Sequence, residues 1–181
     1  MRAAHQVPWF GILGNHEYGY NVSAVVAYAD ISSRWVMDAR YYTRRVQVGT
    51  SGSFVSFVFL DTTPCVADYR ADDPYWWDPC GSSYPTCSLT SSDDDFEGEC
   101  QFHANVLAQD CQAQLAWFEA ALAAVPEEDW LVVAGHHPID EVSDSSTPLG
   151  IRAVLFAKPR GALATIIFTQ GLARALLGGR V

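Results

Sequence analysis

Two short polar clusters carry the residue types of a metal or acid–base site: Gly14-Asn15-His16-Glu17-Tyr18 and Gly135-His136-His137-Pro138. Neutral imidazole is a good ligand for zinc or iron. An Asn side-chain oxygen is a less common ligand that suits a hard cation in a mixed nitrogen and oxygen site. The glycine ahead of each cluster lets the backbone turn sharply and brings the next side chain close to a bound group. A single Gly-Asn-His reads best as a strand-end turn with hydrogen-bonded histidines. Two such clusters at like positions favour chemistry.

The positions are alike because of the elements before them. Residues 7–13 read as a buried strand ending at the first cluster, and residues 129–135, "DWLVVAG", as a second ending at His136. Between them, residues 21–35 space their apolar side chains as a helix does, with Asn21 or Ser23 as its cap. Residues 41–48 and 53–61 are further strands, the latter nearly continuously apolar, as in a sheet covered on both faces. Residues 111–125 form the clearest helix, with Leu115, Trp117, Phe118, Leu122 and Val125 along one face. The tail is expected to hold a helix, a short strand at 164–169 and a last helix. This alternation predicts an α/β fold. In such sheets functional groups sit in loops beyond the carboxyl ends of strands, where both clusters lie.

The chain has 181 residues, the size of one ordinary domain, and 49% of them are apolar. Its net charge of −10 and pI of about 4.7 argue against nucleic-acid binding, which needs a basic face. No run approaches the roughly 20 apolar residues of a membrane helix, and the first ten residues contain no signal-peptide core. Five cysteines (Cys65, Cys80, Cys87, Cys100 and Cys111) fall between two apolar strands, without the C-x-x-C spacing of a zinc clip. Residues 62–110 therefore read as a Cys-rich, acidic surface insertion held by disulfides, which implies an oxidising compartment. Its Asp93-Asp94-Asp95 run reads as a solvated acidic turn rather than a calcium loop. The sequon Asn21-Val22-Ser23 marks Asn21 as a glycosylation candidate.

The stretch "VPWFGILGNHEYGYNVSAVVAYADISSRW" resembles the purple acid phosphatases, of the small, tartrate-resistant type, within the calcineurin-like metallophosphoesterases. "YYTRRV", "FVFLDTT", "QLAWFEAAL" and "DWLVVAGHHPI" resemble that family's later elements in the same order. The resemblance implies an α/β sandwich of layered mixed sheets flanked by helices, and a binuclear centre of iron with iron, zinc or manganese. It implies Asn15 and His136 as ligands of one metal, and His16 as a phosphate contact or as the acid for the leaving alcohol. His137 inherits no ligand role, since the small type often has Tyr there. Asn21 falls on a family sequon. Asp61 is either an outer-shell orienter of a ligand or a strand-end turn cap. The implied reaction is metal-assisted hydrolysis of phosphate monoesters, in a secreted or lysosome-like compartment.

The sequence departs from the family pattern at other motifs. The family's first metal takes an Asp, a bridging Asp and a Tyr from upstream motifs, and residues 1–13 hold no Asp and no Tyr. A Gly-His-x-His motif is also expected after His136, and no histidine follows residue 137. Residues 1–150 are thus read as a partial metallophosphoesterase domain and 151–181 as a divergent tail, giving an incomplete domain of low or no activity. The alternative is a non-catalytic module that binds through Tyr75, Trp76 and Trp77 of the insertion.

Overall fold

A computed structural model describes residues 7–50, 52–71 and 101–137, together with the backbone of residues 164–168. The insertion's aromatic and acidic runs, Cys80, Cys87, Cys100 and the tail outside 164–168 lie outside the described residues. Two sheets are present among those described. The smaller pairs β1 (Trp9–Phe10) with β2 (Trp35–Val36) in parallel. The larger has the order β3 (Tyr42–Val48), β4 (Ser53–Phe59), β5 (Trp130–Gly135), β6 (Ala164–Phe168). Strands β3 and β4 form an antiparallel hairpin, and β4, β5 and β6 run parallel. The hairpin turn uses Gly49 and Gly52 at φ +62° and +78°, a region costly for residues with a Cβ. The fold is the mixed α/β arrangement expected.

Helix α1 (Val22–Ala27) starts at Asn21, whose Oδ1 accepts from the Ala24 amide at 3.2 Å. It is shorter than the apolar spacing suggested. The chain tightens into a 3-10 turn at Tyr28–Asp30, and Trp35 then pairs in β2 beside Trp9 instead of extending the helix. The expected buried strand over 7–13 is also revised. Among the described residues only Trp9–Phe10 of this run pair, and Val7, Trp9 and Phe10 are exposed; burial begins at Gly11. An apolar run alone does not bury a strand; it needs elements packed over it, and here β1 has a sheet neighbour on one side among the described residues.

Helix α4 (Cys111–Ala124) is capped by Asp110, which accepts from the Ala113 amide at 3.0 Å. Its Leu115, Phe118 and Leu122 are buried at helical spacing, as expected, with Trp117 half-buried beside them. Burying a side chain such as Phe118 contributes about 1.5–3 kcal/mol. Gln114 fixes the helix to the end of β4: its Oε1 accepts from the Asp61 amide at 3.0 Å, and its Nε2 donates to the Asp61 carbonyl at 2.7 Å. Both backbone groups that a sheet neighbour would have satisfied are thereby paired.

Short helices α2 (Ala67–Arg70) and α3 (Phe102–Leu107) flank this junction. A disulfide joins Cys65 to Cys111 across 46 residues of chain. The expectation of a disulfide-stapled segment holds for this bridge. Closing a loop of that length removes about 4 kcal/mol of unfolded-state entropy in the chain-entropy account. No helix among the described residues is long and apolar enough to cross a membrane.

Candidate metal centre

The first cluster folds as a tight turn. The Gly14 amide donates to Glu17 Oε2 at 2.8 Å, and the Tyr18 amide to the Asn15 carbonyl at 3.1 Å, at the entry to a 3-10 turn at His16–Gly19. Asn15 sits at the cap position but does not cap with its side chain. The amide is turned inward instead and is almost fully buried. Its Nδ2 donates to Tyr69 Oη at 3.1 Å, and its Oδ1 lies 3.1 Å from His136 Nε2. Residues 121 positions apart therefore converge, as the two-cluster reading requires.

His136 stands at the carboxyl end of β5 and is half-buried. Burial holds its pKa below the usual imidazole value; Glu17 pulls it up and His16 pushes it down further. A neutral imidazole keeps a lone pair for a cation. The ring lies directly on Gly14, where an added Cβ would come within 2.8 Å of His136 Cε1. Gly135 meets the Thr62 methyl in the same way, at 2.9 Å. Neither glycine has a positive φ, so what the sequence suggested as sharp turning is instead a demand for space.

A cation fits between the two donors in part. Asn15 Oδ1 and His136 Nε2 stand at hydrogen-bond distance, 3.1 Å, so both would reach one ion that took the place of the shared proton. Their chemistry, one amide oxygen and one neutral imidazole, suits a borderline or hard divalent ion. Among the described residues no group of three or more His, Cys, Asp or Glu side chains converges, so these two supply one corner of a site.

His16 follows Asn15, is exposed, and is close enough to influence His136. His137 is buried on the other side. Its Nδ1 lies 2.8 Å from Thr62 Oγ1, and its backbone amide donates to the same hydroxyl at 3.1 Å. Burial, helped by His136, pushes its pKa down to about 3, so it stays neutral. Asp61 is fully buried and accepts at Oδ2 from Tyr18 Oη and, at 2.9 Å, from Arg40 Nη1. Burial outweighs these donors and pushes its carboxyl up to about 6. Its bonds run to Tyr18 and Arg40 rather than to Asn15 or His136, so any effect on the ligands passes through the turn that carries Tyr18. Burial and the nearby Asp61 carboxylate in turn hold the Tyr18 phenol well above its usual range. Asn21 is exposed. Its cap bond uses Oδ1, whereas glycosylation would modify Nδ2.

Sequence reasoning missed Tyr69 and Arg40, and it gave no role to Tyr18 or Thr62 although both lie in the stretches it singled out; each is recognisable by the atom it meets.

The chain matches the family described as calcineurin-like phosphoesterase over residues 1–169. It is similar to tartrate-resistant acid phosphatase type 5 of Rattus norvegicus, 33% identical over 143 residues that cover 79% of this chain and 36% of that protein. The Homo sapiens protein of the same name is 29% identical over 143 residues, with the same shares covered. Purple acid phosphatase 7 of Arabidopsis thaliana is 37% identical over 75 residues, covering 40% of this chain and 21% of that protein. The chain thus spans 36% of the length of the rat relative it matches.

Proposed function

The chain belongs to the calcineurin-like phosphoesterase family, binuclear metallophosphoesterases that act on phosphate esters, and from that premise we propose an acid-phosphatase-type function: metal-dependent hydrolysis of phosphate monoesters. The observation that carries the reading is the convergence of Asn15 Oδ1 and His136 Nε2, 3.1 Å apart, at the carboxyl ends of the strands. In this reading Asn15 and His136 would hold one cation. Such ions, when bound, would supply Lewis-acid polarisation of the phosphoryl group and activation of the attacking water. His16, exposed at the mouth of the turn, contacts the phosphate or gives a proton to the departing alcohol oxygen. Asp61 steadies the turn through Tyr18. The ions of the family reading are iron with iron, zinc or manganese. Secretion or a lysosome-like compartment, with glycosylation at Asn21, agrees with the Cys65–Cys111 bridge.

Two donors bind a cation less firmly than the three protein ligands usual for catalytic zinc. With Asn15 and His136 as the donors found among the described residues, slow turnover of phosphate esters is expected. The test is p-nitrophenyl phosphate hydrolysis at acid pH by protein supplied with Fe, Zn or Mn, with Asn15→Ala and His136→Ala alongside. Both substitutions are expected to remove whatever metal-dependent rate the parent shows. Metal-dependent hydrolysis that survives both would overturn the assignment.

A further inference from the structure

We infer that Tyr69, at the base of the Cys-rich segment, is a positioning residue for the cation corner: its phenol oxygen takes the amide hydrogen of Asn15 and so lets Asn15 be buried with its oxygen presented to the ion. This rests on the ligand reading given above for Asn15 and His136.

The two ends of an Asn amide are alike in size and opposite in chemistry. Only Oδ1 can serve a cation. With Oδ1 committed, the Nδ2 hydrogens still need acceptors, because Asn15 is almost fully buried and unpaired buried amide hydrogens are costly. His136 cannot set this orientation by itself. Its Nε2 matches Oδ1 when protonated, and a cation that takes the Nε2 lone pair removes that match. Tyr69 Oη, 3.1 Å from Nδ2, supplies an acceptor that does not depend on the state of His136.

Tyr69 is itself held in place. Its ring packs edge-on against Phe102 at 5.2 Å and against His137 at 5.5 Å between centroids. Its carbonyl lies 3.1 Å from His103 Nδ1. The next residue, Arg70, donates through Nη1 to the carbonyls of Pro64, Val106 and Gln109, at 3.0–3.3 Å. Four residues before Tyr69, Cys65 is bonded to Cys111. The segment 65–70, which carries α2, is therefore tied to α3 by a guanidinium and to the start of α4 by a disulfide, and it delivers one phenol to Asn15. Outer partners of this kind change metal affinity by about 10–100-fold when removed.

The test uses the 181-residue protein labelled with 15N. Asn15→Asp identifies the Asn15 side-chain amide signal by its disappearance. In Tyr69→Phe that amide is expected to exchange with solvent at least about tenfold faster, with the backbone spectrum and Tm kept. Mn2+ affinity is expected to fall about tenfold in Tyr69→Phe, and not to fall further when Tyr69→Phe is added to Asn15→Ala. A purely structural Tyr69 would lower affinity equally in both backgrounds, which overturns the inference. So does a Tyr69→Phe protein with unchanged amide exchange and unchanged affinity, while Asn15→Ala weakens binding. Mn2+ affinity that ignores Asn15→Ala overturns the ligand reading and this inference with it, a result distinct from the other two.

Discussion

Strands β4 and β5 have a buried aspartate near each end, and the two ends are built differently. Before β5 begins, Asp129 accepts from Arg45 Nε at 2.7 Å, Arg45 Nη2 at 2.8 Å and Ser56 Oγ at 2.7 Å. The paired guanidinium and the Ser56 hydroxyl hold its carboxyl below the usual carboxylate range against the effect of burial. Three elements (β3, β4 and the loop before β5) are joined there by groups that satisfy one another. Past the carboxyl ends, Asn15 pairs with His136 and Thr62 with His137, while Asp61 pairs through one oxygen with Tyr18 and Arg40, so the polar atoms are paired only in part. Asp61 is pushed up to about 6, and His137 is held neutral with its Nε2 buried and without a hydrogen-bond partner among the described residues. A saturated polar cluster fastens strands. The other leaves Asp61 Oδ1 and His137 Nε2 buried without a hydrogen-bond partner among the described residues.

The largest expected effect separates the two ends by how they are held. Replacing Cys65 and Cys111 by Ala should lower stability by about 4 kcal/mol in the chain-entropy account. Hydrogen exchange should then show protection lost first around residues 62–70 and 101–111, with the Arg45–Asp129 end retained. Uniform loss would mean that the staple does not serve one end in particular.

The next effect is one of pH. The Asp61 carboxyl is raised from 3.8 to about 6 in the folded protein, so its contribution to stability is present below about pH 3.8 and is lost as pH rises through about 6. The stability of the parent relative to Asp61→Asn should therefore fall between pH 4 and pH 7, by at most about 3 kcal/mol. Denaturant melts at several pH values measure this. A relative stability that rises over the same interval would show that Arg40 and Tyr18 outweigh burial, making this end as saturated as the other.

A smaller effect tests the cradle. Gly14→Ala brings a Cβ to 2.8 Å from His136, which should cost about 1–3 kcal/mol and turn the imidazole away from Asn15. Loss of Mn2+ affinity alongside the loss in Tm is the expected pair of readings. An unchanged affinity would mean that the ring's seat on Gly14 is incidental.

Much of this architecture was legible in the sequence. Strands β4 and β5 stood out because dense runs of Val, Phe and Leu have few alternatives to a buried sheet, and α4 because its apolar residues recur at helical spacing. Asn15 and His136 were legible as types at strand ends. The first strand and first helix were misjudged in extent, since pairing of Trp9 with Trp35 and exposure of Trp9 depend on what packs nearby. Tyr69 and Arg40 were not legible at all. Their importance lies in which atom they reach across 54 and 21 residues of chain, and no local pattern encodes that.

The central claim is that the carboxyl-end cluster receives a cation on Asn15 Oδ1 and His136 Nε2. The most direct measurement is the 15N spectrum of the histidine rings during addition of Zn2+. The account predicts that the His136 Nε2 resonance moves to that of a coordinated nitrogen, that His137 keeps its own, and that the His136 change disappears in Asn15→Ala. A His136 resonance indifferent to Zn2+, or one that moves just as far without Asn15, would contradict it.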